Sequence, residues 1–342
     1  MSLIKQNGML TFKDSTGNFK YGEFWELYKR LDRTHWTADE ISLSQDVKDA
    51  KKASPKEWQD ISNIMKLFTT NEVLVAGFGY NTMLRIFKPI EVQAWLSRAQ
   101  ASEFTHIESY SLFTETVGMP NDIYTSFLDV PVMSSKCEYL EKAKVKKYED
   151  YKRVGMTDAE VDREYRRAIA RMLAVYAAGT ELVSLMAQFA MLMKFQFQGK
   201  YPGLVDIVIY SIRDEQLHGI GNCMLFRRFI EENPDIWDDS LKFDIYEAIR
   251  ETVSYEEALV DYIDPAHMDN QNLKDYVKFC ADNALKELGM KSNYGTTKNP
   301  LPYMDDITGV VLADFFSSTV SEYSKSVDGD WQDVKYDHWM LK

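Results

Sequence analysis

Two pairs of side chains stand out for the chemistry their spacing permits. Only five histidines occur in the 342 residues, and two of them, His106 and His218, follow a glutamate by three positions, Glu103 and Glu215. Positions three apart share a face of a helix, so each pair can offer an oxygen and a nitrogen to one ion. Chance alone gives roughly half of one such match among five histidines, so the doubling matters more than either copy. Two further acids complete the pattern: Glu72 precedes Glu103 by 31 residues and Glu181 precedes Glu215 by 34. Each half of the chain thus supplies one acid on one long helix and a Glu-x-x-His on the next. Four carboxylates and two imidazoles from four helices form the ligand set of a di-iron or di-manganese carboxylate centre.

The surroundings of Glu181 sharpen this reading. It sits in the apolar run Leu173 to Met186, where an ionised carboxylate costs several kcal/mol unless a cation or strong donors compensate. A salt bridge to Arg171 or Arg85 is the ordinary alternative for Glu181 taken alone, and it does not explain six residues in one pattern. Carboxylate and imidazole without thiolate suit iron and manganese; calcium takes oxygen alone, and structural zinc usually recruits cysteine. Iron, manganese or both remain open. Tyr110 lies four after His106 on the same face, where an oxidising centre could take an electron from it or where its hydroxyl could simply bond a ligand carboxylate. The second half has Asn222 at the matching place.

Long helices must carry these groups. Gly and Pro are scarce, sixteen and nine, and mostly fall where helical periodicity breaks. Apolar spacing predicts helices over roughly 24–31, 55–87, 89–117, 134–152, 158–198, 202–232, 236–262 and 270–288, with Pro89 and Pro202 in first turns and a capping box from Thr157 to Glu160. The expected architecture is an all-α bundle with helices near thirty residues, each about 40 to 45 Å long. The segment 173–197 could span a bilayer by length, but Glu181, Gln188 and Lys194 interrupt it, so a buried bundle helix is expected and no membrane. Residues 1–320 read as one domain. Residues 321–342 change character, mixing charges with Trp331, Tyr336 and Trp339, as a partner-docking tail or a frayed terminus would.

A hydrophobic fraction of 45% is ample for a large core, and a formal net charge of −13 disfavours a nucleic-acid partner, which would need clustered Lys and Arg. Three cysteines without a CxxC pair fit a reducing, cytoplasmic setting. The first residues, 1–11, lack the basic flank and apolar core of a secretory signal.

At these residues the sequence resembles the small, radical-generating subunit of class I ribonucleotide reductase. SEFTHIESY at 102–110, GTELVSLMAQFA at 179–190 and IRDEQLH at 212–218 carry the likeness; HWTADEISLSQD at 35–46, NPLPYMDDI at 299–307 and ADFFSSTVSEY at 313–323 extend it along the chain. The resemblance implies a ferritin-like helical fold, a dimetal site that activates oxygen and stores an oxidising equivalent, and a large catalytic subunit that uses it to make deoxyribonucleotides. The implied ligands are Glu72, Glu103, His106, Glu181, Glu215 and His218, with Tyr110 as the radical-bearing tyrosine. It further implies a relay through Trp36 and Asp214 to His106, a mobile Tyr323, docking through the tail beyond it, and a homodimer. Phe189 and Leu185, on the side of Glu181, are candidates to keep water from Tyr110. The family usually has Asp where Glu72 stands. Members with Glu there can use a manganese–iron centre and often have Phe in place of Tyr110, so the metal pair (di-iron, manganese–iron or di-manganese) and the seat of the oxidant, Tyr110 or the metals, stay open. Two other readings compete: a ferritin-like dimetal oxidase or hydroxylase with its own small substrate, and an iron-storage or structural bundle.

Overall fold

The computed structural model describes residues 8–10, 19–305 and 307, apart from the side chains of 69–72 and 78. The described residues hold eleven α-helices and no strand: α1 (Gly22–Arg33), α2 (Ser44–Ala50), α3 (Pro55–Leu74), α4 (Asn81–Ile86), α5 (Ile90–Thr116), α6 (Pro131–Lys142), α7 (Asp158–Leu173), α8 (Leu185–Gln198), α9 (Pro202–Glu232), α10 (Asp239–Ile263) and α11 (Asn270–Glu287). Chain contacts divide the protein into Met1–Leu301 and Pro302–Lys342; of the second unit, residues 302–305 and 307 are described, and they are helical.

The core pairs α3 with α5, α5 with α9, and α9 with the helix running through α7 and α8, while α10 and α11 cover that last helix from outside. Two stretches depart from α geometry. Val75–Tyr80 links α3 to α4, and Ala174–Ser184 links α7 to α8, both as π-helix. In the second, Thr180 Oγ1 bonds the carbonyl of Val175, five residues back. The wider turn shifts the side-chain register within an otherwise continuous helix, a device frequent at functional sites.

Local chemistry explains most boundaries. Thr157 and Glu160 form the expected capping box on α7, and Asp238 and Asp269 cap α10 and α11 through the amides of Leu241 and Asn272. Pro202 begins α9, whereas Pro89 sits one residue before α5 with extended ψ, as its N-cap rather than in its first turn. The expected helix over 134–152 is shorter, since α6 ends at Lys142 and only a single 3₁₀ turn, Tyr148–Tyr151, follows. That segment is lysine-rich and lacks an apolar stripe to bury.

The short α2 was not expected, and it has a definite task. Its buried Asp46 accepts hydrogen bonds from the amides of Gly203 and Leu204, at 3.0 and 2.9 Å, and so caps the start of α9. A Cβ on Gly203 would stand 2.7 Å from Ser42 O and Leu43 Cδ2, so the close docking of α2 requires glycine there. This clamp fixes the origin of the helix that carries Glu215 and His218.

The bilayer-length segment within Asp158–Gln198 is a core helix: 89% of its most apolar window is buried inside the protein. The polar groups in it are matched internally, Gln188 by Glu256 at 3.4 Å and Lys194 by Asp60 at 3.0 Å.

Candidate metal centre

Three of the four core helices deliver the described part of the cluster. Glu103 and His106 come from α5, Glu215 and His218 from α9, and Glu181 from the π segment before α8; all five are completely buried. Close approach of α9 to its neighbours needs two glycines. A Cβ on Gly219 would meet Leu182 Cδ2 at 2.3 Å, and one on Gly221 would meet Trp95 Cζ2 at 2.3 Å. Glu72 is on α3, and its side chain lies outside the described residues, as does Tyr323.

Glu103 and Glu215 each stand between the two imidazoles. Glu103 Oε1 is 2.9 Å from His218 Nδ1 and its Oε2 is 3.4 Å from His106 Nδ1; Glu215 Oε1 is 2.9 Å from His106 Nδ1 and its Oε2 is 3.1 Å from His218 Nδ1. Glu181 Oε2 lies on the His218 side, 4.0 Å from Nδ1. One ligand atom from each of Glu103, Glu181, Glu215 and His218 falls within 4.8 Å of the others, a group able to hold a metal ion. Both histidines turn Nδ1 inward, which places two carboxylates in position to be shared between two cations.

The charge balance fits cations at this place. Elsewhere in the core, buried acids have matching donors: Lys56 and Lys194 meet Asp60, Lys136 meets Glu256 at 2.6 Å, and three backbone amides meet Asp282. Among the described residues no Lys or Arg reaches Glu103 or Glu215, and both Glu103 oxygens and Glu215 Oε1 are sealed from water without a hydrogen bond of normal geometry. Arg85, one of the candidate partners for Glu181, bonds Asn81 O and Thr82 Oγ1 on its own helix. Uncompensated carboxylates in a dry core are costly, so the donor set is that of a site built around positive charge.

With protons as the only cations, the imidazole absorbs the field. Burial opposes its charged form, yet the adjacent Glu215 and Glu103 push His218 up to about 10. Burial also raises the Glu215 carboxyl, but the hydrogen bond shared with Glu181 and the neighbouring His218 and His106 outweigh it and hold Glu215 well below the usual carboxylate range. Metal ions at the site would replace those protons.

Outside the cluster, Asp214 Oδ2 accepts from Trp36 Nε1 at 2.9 Å and lies 3.4 Å from His106 Nε2. The Trp36 and His106 rings stack with centroids 5.9 Å apart. Tyr110 is buried, donates to Ser211 Oγ at 3.0 Å, and stacks on Phe68, which in turn stacks on Phe189. Thus Phe189 reaches Tyr110 through Phe68, a residue that sequence reading missed.

Also missed was a second tyrosine. Tyr80, the last residue of the first π segment, donates to Glu181 Oε1 at 3.2 Å and accepts from Asn222 Nδ2 at 3.0 Å. Burial first, then Glu181, Glu103 and Glu215, push its phenol well above its ordinary value, so it remains a donor. Among the described residues, Tyr80 bonds the cluster carboxylate Glu181 and Tyr110 bonds Ser211. A signal existed in the sequence: Asn222 lies in an apolar stretch of α9, and a buried amide demands partners.

The family model for "Ribonucleotide reductase, small chain" matches residues 15–300. The chain belongs to that family. Among ribonucleotide reductase relatives, the probable ribonucleoside-diphosphate reductase small subunit 376L of Invertebrate iridescent virus 6 is 31% identical, over 92% of this chain and 95% of that protein. Solved structures share the ferritin-like fold. The ribonucleotide reductase R2 subunit of Clostridium botulinum superposes with a TM-score of 0.77 at 18% identity, covering 90% of this chain and 96% of that one. The yeast Rnr4 homodimer, from Saccharomyces cerevisiae, gives 0.71 at 20%, covering 92% of each chain. The dimanganese(II)-NrdF of Streptococcus sanguinis gives 0.68 at 17%, covering 85% and 96%. Membership of this family makes the chain the small subunit of an oxidoreductase, ribonucleoside-diphosphate reductase.

Proposed function

We propose that Glu72, Glu103, His106, Glu181, Glu215 and His218 hold two transition-metal ions, and that the oxidising equivalent generated there passes to a large catalytic subunit for deoxyribonucleotide synthesis. The observation that carries this reading is the placement of Glu103 and Glu215 across both imidazoles in a buried space where, among the described residues, no Lys or Arg reaches either acid. Bound iron or manganese supplies the reaction with oxygen; a dimanganese centre is named for the Streptococcus sanguinis neighbour, and the ligand types here suit either metal.

This chain's own residues then have separable tasks. Tyr110 would be the seat of the stored oxidant, its hydroxyl oriented in the ground state by a hydrogen bond to Ser211 Oγ. Phe68 and Phe189 keep its ring from water. Asp214 ties the Trp36 indole to the His106 imidazole through one oxygen, so an electron crossing that link moves along charge-assisted hydrogen bonds rather than through solvent. Tyr323 and the tail 321–342 carry the connection to the large subunit. A second copy of the chain covers the outer face of α5, where Phe104 is 57% exposed and Leu112, two turns further on, 37%; Val73 of the neighbouring α3 is 51% exposed. The Rnr4 neighbour is a homodimer.

The test is reconstitution. Metal-loaded, oxygen-exposed protein mixed with a cognate large subunit is expected to reduce ribonucleoside diphosphates, and Tyr323→Phe is expected to abolish turnover while keeping both ions. An independent oxidase would be indifferent to Tyr323→Phe, and that result would overturn the assignment of this residue and the tail.

A further inference from the structure

Glu181 differs from the other described cluster acids in how its carboxylate is held. It projects from a π segment, whereas Glu103 and Glu215 stand on the regular helices α5 and α9. A phenol from the other π segment holds its carboxylate. Tyr80 ends the other π segment, and its hydroxyl meets Glu181 Oε1 at 3.2 Å. Because Asn222 Nδ2 donates to the same phenol oxygen at 3.0 Å, the phenol's single proton is directed at the carboxylate. Asn222 is oriented in turn by Trp95, whose Nε1 is 3.4 Å from Asn222 Oδ1. The Tyr80 and Trp95 rings both stand edge-on to His218, with centroids 5.9 and 6.2 Å away. All of these groups are buried.

We infer that Tyr80, held by Asn222 and Trp95, is a positioning residue that fixes which Glu181 oxygen faces the ion on the His218 side. With Oε1 engaged by the phenol, Oε2, 4.0 Å from His218 Nδ1, is the oxygen turned toward the His218 side. The inference rests on the reading of the cluster as a two-ion site and adds a hydrogen-bond partner that orients one of its ligands. Partners of this kind set ligand orientation, and their loss typically weakens metal binding about 10- to 100-fold.

The test is an anaerobic titration of the full chain with Mn(II), read by the electron paramagnetic resonance of free and bound ion. Wild type is expected to bind two ions. Tyr80→Phe, which removes one oxygen and keeps the ring, is expected to weaken one of the two about 10- to 100-fold and to change the bound-ion spectrum. 3-Fluorotyrosine at position 80, which retains the hydroxyl, should restore both. Asn222→Leu should weaken the same ion in the Tyr80 background and add nothing in the Tyr80→Phe background, because it acts through the phenol. Should Tyr80→Phe fail to fold with Asn222 left partnerless, the Tyr80→Phe/Asn222→Leu double variant replaces it in the same titration. Two ions bound with wild-type affinity and spectrum in the variant would overturn the inference alone; a wild type that binds no Mn(II) would overturn the two-ion reading together with it.

Discussion

The two halves of the centre share one spacing and differ in where each places its tyrosine. On α5 the residue four beyond the histidine is Tyr110, bonded to the neutral Ser211 hydroxyl and stacked on Phe68. On α9 the same place is Asn222, which delivers Tyr80 to the Glu181 carboxylate. Eight residues after Glu181 stands Phe189; eight after Glu72 stands Tyr80. A repeated Glu-x-x-His frame therefore supplies symmetric ligand positions, while the residues just beyond it assign different work to each side. One phenol bonds a serine hydroxyl beside aromatic rings, and the other bonds a ligand carboxylate.

Removing a shared acid should erase the distinction altogether. Glu215→Ala or Glu103→Ala takes away a carboxylate that spans both imidazoles, and metal analysis should fall from two ions per chain to fewer than one. In the metal-free state the same change takes a carboxylate partner away from the charged His218, so the apo variants are expected to melt below wild type near neutral pH. Loss of one ion only would contradict the shared placement.

Next in size is the contrast between the phenols. Tyr110→Phe should retain two ions but lose the organic-radical signal after oxygen exposure, whereas Tyr80→Phe should keep a radical signal in whatever fraction still loads. A full oxidant yield in Tyr110→Phe, carried by the metal signal, would move the store from α5 to the ions.

pH gives a graded comparison of the ligands themselves. In metal-free protein His218 is raised from 6.5 to about 10, so its contribution to stability is complete below about 6.5 and is lost as pH climbs through about 10. Glu215 is displaced the other way; its contribution is present above 4.5 and is lost as pH falls through its depressed value. Chemical denaturation across pH should show apo stability greatest between those limits. Since an ion must displace the His218 proton, apparent Mn(II) affinity should rise with pH by up to about tenfold per unit below 10. A flat profile would mean that the imidazole is not protonated in the apo cluster.

Smallest is Ser211→Ala. It deletes one hydrogen bond of the Tyr110 hydroxyl and should cost about 1 kcal/mol by denaturant melt, with both ions retained.

Much of this organisation was legible before any coordinates. Glu103, His106, Glu215 and His218 announced themselves because a three-residue step is a helix-face rule that tertiary context cannot alter. The long helices followed from sparse Gly and Pro, and the Thr157 capping box and Pro202 marked real starts. Other features were hidden for physical reasons. The π segments leave no composition signature, since a one-residue register shift inside a largely apolar stretch changes neither hydropathy nor propensity. Tyr80 was invisible because its partner Asn222 is 142 residues away, and nothing local ties a phenol to a distant amide. The short α2 was missed because its reason for existing is Asp46 capping α9, a contact across 157 residues.

The chemistry of this centre depends on where cations sit. Crystals of the full chain grown with Mn(II) or Fe(II), with anomalous scattering measured at the metal edge, should give two peaks between Glu103 and Glu215, one beside His106 and one beside His218. A single peak elsewhere, or an empty cluster with a basic side chain turned into it, would contradict the claim that these acids are arranged around two ions.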